Sequence, residues 1–274
     1  MFKFLKIFFK IINYKTITNN FYQINNWDPS GSEIYMSDCF SDWGNEYLFL
    51  DSISLRPNNI FLDIGCHTGY FPTLFKNYFK KIIGFEPSTK CISSLKKLNL
   101  NNFSFHKNFV GDEVIEVMAG DSDAGYSFFN DQNLYQKKEL IKIKQITIDS
   151  FIIKNKLEGV TAIKIDVDGL DLKVLFGAKK TIQNNRPSIM IENFSEELFN
   201  FFKDLDYDLI SIISNKKKPY NLYIQKFEYY DESKWVKMMC CIPKEYSRTY
   251  NTSFFKGNIF TGINKKEIIK TFNI

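Results

Sequence analysis

The stretch Ile60 to Phe71 (I-F-L-D-I-G-C-H-T-G-Y-F) constrains this chain more than any other. Ile60-Phe61-Leu62 is a short apolar run, as expected of a parallel strand buried on both faces. It ends in Asp63, with Gly65 and Gly69 close behind. Tyr70 to Phe79 then reads as a helix, with Pro72 in its first turn, where a missing N–H does no harm. Strand, glycine turn and helix make a nucleotide-binding geometry: glycine lets backbone approach a ligand, and a helix start offers unpaired N–H groups to an anion.

The spacing is D-x-G-x-x-x-G. A dinucleotide fingerprint, G-x-G-x-x-G, needs glycine at position 67, where this chain has His67. An acid-led turn is what S-adenosylmethionine (SAM) enzymes use. Asp63 would then sit near the methionine ammonium, and Gly65, Cys66 and Gly69 would face the methionine and ribose. Lys81 to Glu86 reads as the next strand, and its closing acid lies 21 residues beyond Gly65 (86 − 65). In nucleotide-binding α/β folds an acid about 20 residues on bonds the ribose hydroxyls. The bland alternative makes Asp63 a helix cap and Glu86 a surface carboxylate, but strand, loop and acid fall in register. Asp112, after a third strand over Phe103 to Val110, is either an adenine partner or a turn aspartate.

The rest of the chain alternates strands and helices, which gives a parallel sheet covered on both faces. Asp42 to Leu55 reads as a helix with Tyr47, Leu48, Leu50 and Ile53 buried. Glu113 to Phe129 suggests a hairpin around Gly120–Asp123; Lys142 to Ile148 is a strand and Asp149 to Lys156 a helix. Thr161 to Val167 is a fourth core strand, and a helix follows with Leu172, Leu175, Phe176 and Ile182 at helical spacing. Ser188 to Ile191 is a fifth strand, closed by Glu192. Tyr207 to Ile213 and Val236 to Ile242 are the last two. No obvious helix separates them, so the final strand should be antiparallel. This places an N-terminal extension at 1–42, a nucleotide-binding domain at 43–243 and a C-terminal extension at 244–274.

Composition narrows the function. A net charge of +5 over 274 residues shows no nucleic-acid stripe, and no N/D-P-P-Y/W motif follows the fourth strand. Five cysteines without C-x-x-C, and only two histidines, argue against a disulfide framework and a metal site and for a reducing, cytoplasmic setting. Met1 to Ile12 carries Lys3, Lys6 and Lys10 on one helical face, with Phe and Ile elsewhere. It is too short to span a bilayer, which takes ~20 apolar residues. It reads either as a helix packed on the domain or on a second subunit, or as an interfacial helix touching the inner membrane surface.

Asp166, Asp168 and Asp171 cluster at the carboxyl end of the fourth strand. Ligands of open α/β sheets bind beyond such strand ends, where strand order switches. A carboxylate there can deprotonate a substrate hydroxyl, and so could His67, whose ordinary pKa is near neutrality. The structural alternative has Asp168 as a helix N-cap with Asp171 as its capping-box partner.

The segments F-L-D-I-G-C-H-T-G-Y-F, I-I-G-F-E-P-S, I-K-I-D-V-D-G-L-D-L-K-V-L-F-G-A and S-I-M-I-E together resemble the FkbM family of SAM-dependent methyltransferases. The third is the most specific, since the family typically shows K-I-D-V-E-G-x-E before a helix ending G-A. Asp168 and Asp171 stand where the family usually has Glu, and Cys66-His67 where it usually has Ala-Asn. The resemblance implies a Rossmann-like class I methyltransferase sheet, SAM as cofactor, and O-methylation of a glycan, glycolipid or other hydroxylated small molecule. Ser127 matches a family serine near the site. Lys164, Asp171 and Glu192 join it as candidate acceptor contacts. Two other readings compete: a SAM-binding module without turnover, and a nicotinamide-dependent oxidoreductase on a similar sheet, against which position 67 argues.

Overall fold

The computed structural model describes residues 42–248, except 43, 58, 123–124, 128–139 and 216–217, together with 254–258 and 262–263. The expected helix at residues 1–12 lies outside them. In chain order the elements are α1 (Asn45–Ile53), β1 (Ile60–Ile64), α2 (Tyr70–Phe75), β2 (Lys81–Phe85), α3 (Thr89–Leu95) and β3 (Phe103–His106). Next come β4 (Phe109–Val110), β5 (Glu116–Ser122), β6 (Gly125–Ser127), β7 (Leu140–Ile146), α4 (Ile148–Lys154) and β8 (Val160–Ile165). Then follow α5 (Asp171–Gly177), α6 (Lys179–Asn185), β9 (Ser188–Ile191), α7 (Glu196–Phe202), β10 (Tyr207–Asn215) and β11 (Lys218–Phe227). The series closes with β12 (Lys234–Val236), β13 (Met239–Pro243), β14 (Phe254–Asn258) and β15 (Gly262–Ile263).

The main sheet runs β15-β14-β11-β10-β13-β9-β8-β1-β2-β3, with β12 beside β10. From β3 to β9 every pairing is parallel. β13 inserts antiparallel between β9 and β10, which is the expected antiparallel last strand. With helices over both faces, this is the mostly parallel, Rossmann-like sheet expected from the sequence. The chain leaves β1 towards β2 on one side and returns through β8 on the other. The carboxyl ends of β1 and β8 therefore flank the switch point, where ligands bind in such sheets.

Strand alternation sets the two cores. Leu62, Ile64, Ile83, Ile163 and Ile165 face one side, where Val174, Leu175 and Ile182 of α5 and α6 cover them. Phe61, Ile82 and Ala162 face the other, against Leu48, Phe49 and Ile53 of α1 and Phe71 and Phe75 of α2. On that second face Phe61 meets Phe49, Phe75 and Phe79 with ring centroids 6.1, 5.5 and 5.2 Å apart. Asp63 and Lys164 continue the same face, and they are cross-strand partners in register.

Several expected elements change. The third strand splits at Lys107–Asn108, and β4 joins a separate four-stranded sheet, β4-β7-β5-β6. The Asn108 side chain donates to the Lys144 carbonyl at 3.1 Å, so the chain leaves β3 and follows β7. The helix after β1 ends at Phe75 rather than Phe79. The helix after β8 is two short ones meeting at Ala178, and Phe176 is half exposed, edge-on to Phe201. Around α1 burial is nearly complete: Asn45, Glu46, Asp51 and Ser52 are buried along with Leu48, Phe49, Leu50 and Ile53, while Tyr47 is only partly so. Its polar residues are buried because they have partners. The Asn45 amide accepts from the Ile212 N–H at 2.8 Å and donates to the Ile212 carbonyl at 3.3 Å. It thereby bridges the point on β10 between the residues paired with β13 and those paired with β12. The antiparallel ribbon β11-β14-β15, which extends the sheet beyond β10, had no signal that was read from the sequence.

Candidate active site

β1 ends in a buried carboxylate. Asp63 is fully buried, and neither of its oxygens has a hydrogen-bond partner. The Lys164 ammonium stands 3.8 Å from Oδ1, an ion-pair distance beyond hydrogen-bonding range. Burial pushes the Asp63 carboxyl up to about 6, with the Lys164 charge pulling the other way.

The turn that follows is shaped by chain packing as well as by ligand access. Gly65 has φ +75°, and a Cβ there would collide with the Asp166 carbonyl oxygen, so glycine lets the turn pass against the end of β8. The Gly65 and Cys66 N–H groups both donate to the Phe85 carbonyl, at 2.9 and 3.1 Å. The buried Cys66 thiol lies against Gly84, and burial pushes its pKa well up. Gly69 is the N-cap of α2, at φ 92°, and its N–H donates to the Cys66 carbonyl at 2.8 Å. Glu86 closes β2 where the sequence places it and is buried. Its Oε2 accepts from the His67 N–H at 2.9 Å and its Oε1 from the Ser88 N–H at 2.8 Å. Burial pushes it up to about 7, with those two bonds opposing. The acid therefore pins His67, itself at φ 48°, and keeps a second lone pair on each oxygen.

The fourth-strand acids divide by role. The Asp166 side chain is 37% exposed, and its Oδ2 pairs with Lys164 Nζ at 3.0 Å. It also hydrogen-bonds the Glu192 side chain at the end of β9. Burial disfavours the Asp166 charge, but Lys164 and that hydrogen bond outweigh it and hold the carboxyl below its usual range. Glu192 is raised, by burial and by its bond to the charged Asp166, so the proton of the pair resides on Glu192. Asp168 is exposed at φ 45° and is not the N-cap; that position is Leu170. Asp171 is buried, and its oxygens accept from the Val167 and Gly169 N–H groups at 3.2 and 3.3 Å, so it fastens the turn from beneath. The His67 side chain lies near enough to favour the charged forms of both Asp166 and Asp168.

Lys164 is buried beneath this group rather than open to an acceptor, with its ammonium also 3.0 Å from the Gly65 carbonyl. Asp112 is exposed on the turn after β4. Gly177 of α5 sits against the adjacent Gly111 carbonyl, which leaves no room for a Cβ. That contact explains the glycine of the G-A helix end. Ser127 belongs to β6, but its side chain lies outside what the structure describes.

The sequence reading missed a contribution from the segment before β1. Glu46 is buried and accepts from the Asp42 N–H at 3.0 Å, the Gly44 N–H at 3.1 Å and the Tyr70 hydroxyl at 3.0 Å. Asp42, also buried, faces Lys237 at 3.9 Å and is pushed well up by burial, then by Glu46. An acid followed four residues later by another, at a helix start, was the available signal.

No curated protein matches the chain. Among solved structures it is similar to a methyltransferase FkbM from Methylobacillus flagellatus, at 17% identity and a TM-score of 0.42, covering 68% of this chain and 44% of that one. The chain thus spans less than half the length of that protein. It is also similar to a precorrin-6y C5,15-methyltransferase from Geobacter metallireducens, at 10% identity and a TM-score of 0.40, covering 72% and 86%. A third is TrmK from M. capricolum in complex with S-adenosylhomocysteine (SAH), at 12% identity and a TM-score of 0.34, covering 75% and 71%. Likenesses this distant carry no argument about activity. The family comparison does: residues 63–218, more than half of the chain, match the methyltransferase FkbM domain. The residues present suit the cofactor of such enzymes, SAM. A buried carboxylate with two unpartnered oxygens at the end of β1 suits its ammonium, and Glu86 at the end of β2 keeps acceptor capacity for its ribose hydroxyls. The nicotinamide alternative falls away, and the chain belongs to the FkbM methyltransferase domain family.

Proposed function

We propose that the protein transfers the methyl group of SAM to a hydroxyl of a sugar, glycan or glycolipid, and that Asp166 accepts the hydroxyl proton. The observation that supports this reading best is the state of Asp166. It is partly exposed at the carboxyl edge of the sheet, held ionised by Lys164, and hydrogen-bonded to a Glu192 that keeps its own proton. A carboxylate in that state can take a proton; one left to share its partner's proton could not. When bound, the cofactor supplies an electrophilic methyl on a sulfonium. Asp63 and Glu86 would hold it as that methyl passes to the acceptor oxygen and SAH leaves, while the acceptor proton would pass to Asp166. Most of the rate gain would come from holding the two reactants in line. Asp168 and His67 border the same space and orient the acceptor, with Glu192 on the β9 side.

The test is Asp166→Asn, assayed by labelled-methyl transfer from SAM to cell-envelope glycan fractions. General-base catalysis contributes about 10²–10⁴-fold, and turnover should fall by that order at temperatures well below the variant's melting point, where it is folded and still binds SAH. Near-normal turnover would refute the assignment and point to His67. SAH binding with no transfer to any hydroxylated fraction would favour a module without turnover. Among the described residues no helix is long and apolar enough to cross a membrane. Residues 1–12 would supply peripheral contact, and their deletion should abolish flotation with anionic liposomes while sparing activity on soluble acceptors.

A further inference from the structure

The least expected group in the site is the buried Lys164. An ammonium taken out of water is costly unless charges and acceptors surround it. Here they do: Asp166 Oδ2 and the Gly65 carbonyl lie at 3.0 Å, Asp63 Oδ1 at 3.8 Å, and the Phe71 ring centroid at 5.2 Å. These partners come from the end of β8, the glycine turn, β1 and α2, so one side chain joins four pieces of the site. Asp63 has the opposite difficulty. It is fully buried with no donor on either oxygen, and a carboxyl in that position ordinarily takes up a proton. The other groups facing it make matters worse. Asp166 adds a further negative charge, and Glu86 from β2 and the Cys66 thiol of the turn lie within electrostatic reach. Asp42, before α1, adds another acid beside Lys164. Lys164 is the cation that faces Asp63, while Lys237 stands by Asp42 and His67 by Asp166.

We propose that Lys164 is a positioning residue for the cofactor: its ammonium keeps Asp63 in the carboxylate form that the incoming cofactor ammonium requires, and fixes that carboxylate relative to the glycine turn. A neutral Asp63 would meet an ammonium with half its acceptor oxygens replaced by an O–H. At 3.8 Å from Oδ1, Lys164 donates to neither oxygen of the buried carboxylate, and its hydrogen bonds go to Asp166 and Gly65. The inference concerns SAM binding alone and does not rest on the acceptor reading.

The experiment is calorimetric SAH affinity from pH 7 to 8.5 for wild type, Lys164→Met and Lys164→Arg. Methionine fills the space beside Phe71 without charge. At pH 7 Lys164→Met should bind SAH roughly tenfold or more weakly, the scale of one charge-assisted contact. The ratio of variant to wild-type affinity should recover as pH rises and Asp63 ionises unaided. Lys164 also acts on Glu86, so the same comparison is made in a Glu86→Gln background, where the recovery with pH should persist. Lys164→Arg, which keeps the charge, should show no pH trend. A Lys164→Met defect of constant size at every pH would mean that only the Gly65 hydrogen bond matters, and would overturn the proposal, as would wild-type affinity at pH 7. Carbon-detected NMR of the Asp63 carboxyl in the wild-type protein provides a test that survives a variant failing to fold. A titration midpoint below 7 is expected, and one above 7 refutes the idea.

Discussion

Gly65→Ala isolates the contact on which the two halves of the site depend. Gly65 has φ +75°, and an added Cβ would strike the Asp166 carbonyl, a main-chain atom that cannot rotate away. Two costs then add. A residue with a Cβ in the left-handed region costs roughly 1–2 kcal/mol. Displacing packed neighbours costs about 1–3 kcal/mol more. Gly169 is the matched control, since it has φ +86° but nothing within 4 Å of its Cβ position, so Gly169→Ala carries the first cost alone. The two variants should therefore differ by about 1–3 kcal/mol, or roughly 2–12 °C in melting temperature at about 2–4 °C per kcal/mol for a chain of this size. Because the atom struck belongs to Asp166, Gly65→Ala should also weaken SAH binding and slow transfer, even at temperatures where it is fully folded. Thermal denaturation of both variants with and without SAH decides the matter. Equal destabilisation would show that φ strain is the whole effect and that the turn does not need its close approach to β8.

Stability should depend on pH through Asp63 and Glu86, whose carboxyls stand at about 6 and about 7 in the folded protein, above their ordinary values of 3.8 and 4.5. The folded state holds those protons more tightly, so their contribution is fully present below about pH 4 and is lost as pH rises to about 7, by at most roughly 3 kcal/mol each. The ligand-free melting temperature of wild type should thus fall over that window relative to Glu86→Gln, and SAH should stabilise the protein more at pH 8 than at pH 5; parallel curves would refute the assignment. Asp171→Ala removes the acceptor for the Val167 and Gly169 N–H groups and should cost about 1–3 kcal/mol. Asp171→Asn, which retains one acceptor oxygen, should lose less; equal losses in chemical denaturation would show that the turn is held otherwise.

The strand-end acids and the glycine turn were legible because they are marked by position along the chain. Asp63 and Glu86 each close an apolar run, and strand ends are where a parallel sheet presents side chains to a ligand. Gly65 was legible as a special position, but its close contact is with Asp166, 101 residues on (166 − 65), a distance no local pattern encodes. Lys164 was harder. Within I-K-I-D-V it looks like the polar partner in a strand alternation, and only strand pairing reveals that it lies beside Asp63. The same holds for Glu46 and Asn45, which a helical pattern assigns to solvent but which the Tyr70 hydroxyl and the Ile212 backbone hold inside. Polar burial follows from tertiary partners, so sequence periodicity misassigns it. Strand β4 failed for a related reason: Phe103 to Val110 is uniformly strand-like, and the choice between two sheets is made by the Asn108 bond to Lys144.

The position of β13 has a consequence for how the protein is made. It is the last of the strands in the central β9-β13-β10 order to leave the ribosome, yet it occupies the middle place. Until Met239–Pro243 emerges, β10 has no partner connecting it to β9, and the Asn45 carbonyl lacks the Cys240 thiol that donates to it at 3.7 Å. The nascent chain therefore carries the completed parallel half with a bare edge, and a separate β10-β11 hairpin, as two incomplete pieces. Unpaired strand edges of this kind invite association with other chains. Arrest of synthesis just before residue 239 should leave nascent chains that recruit a chaperone, and release of a few more residues should end the need for one.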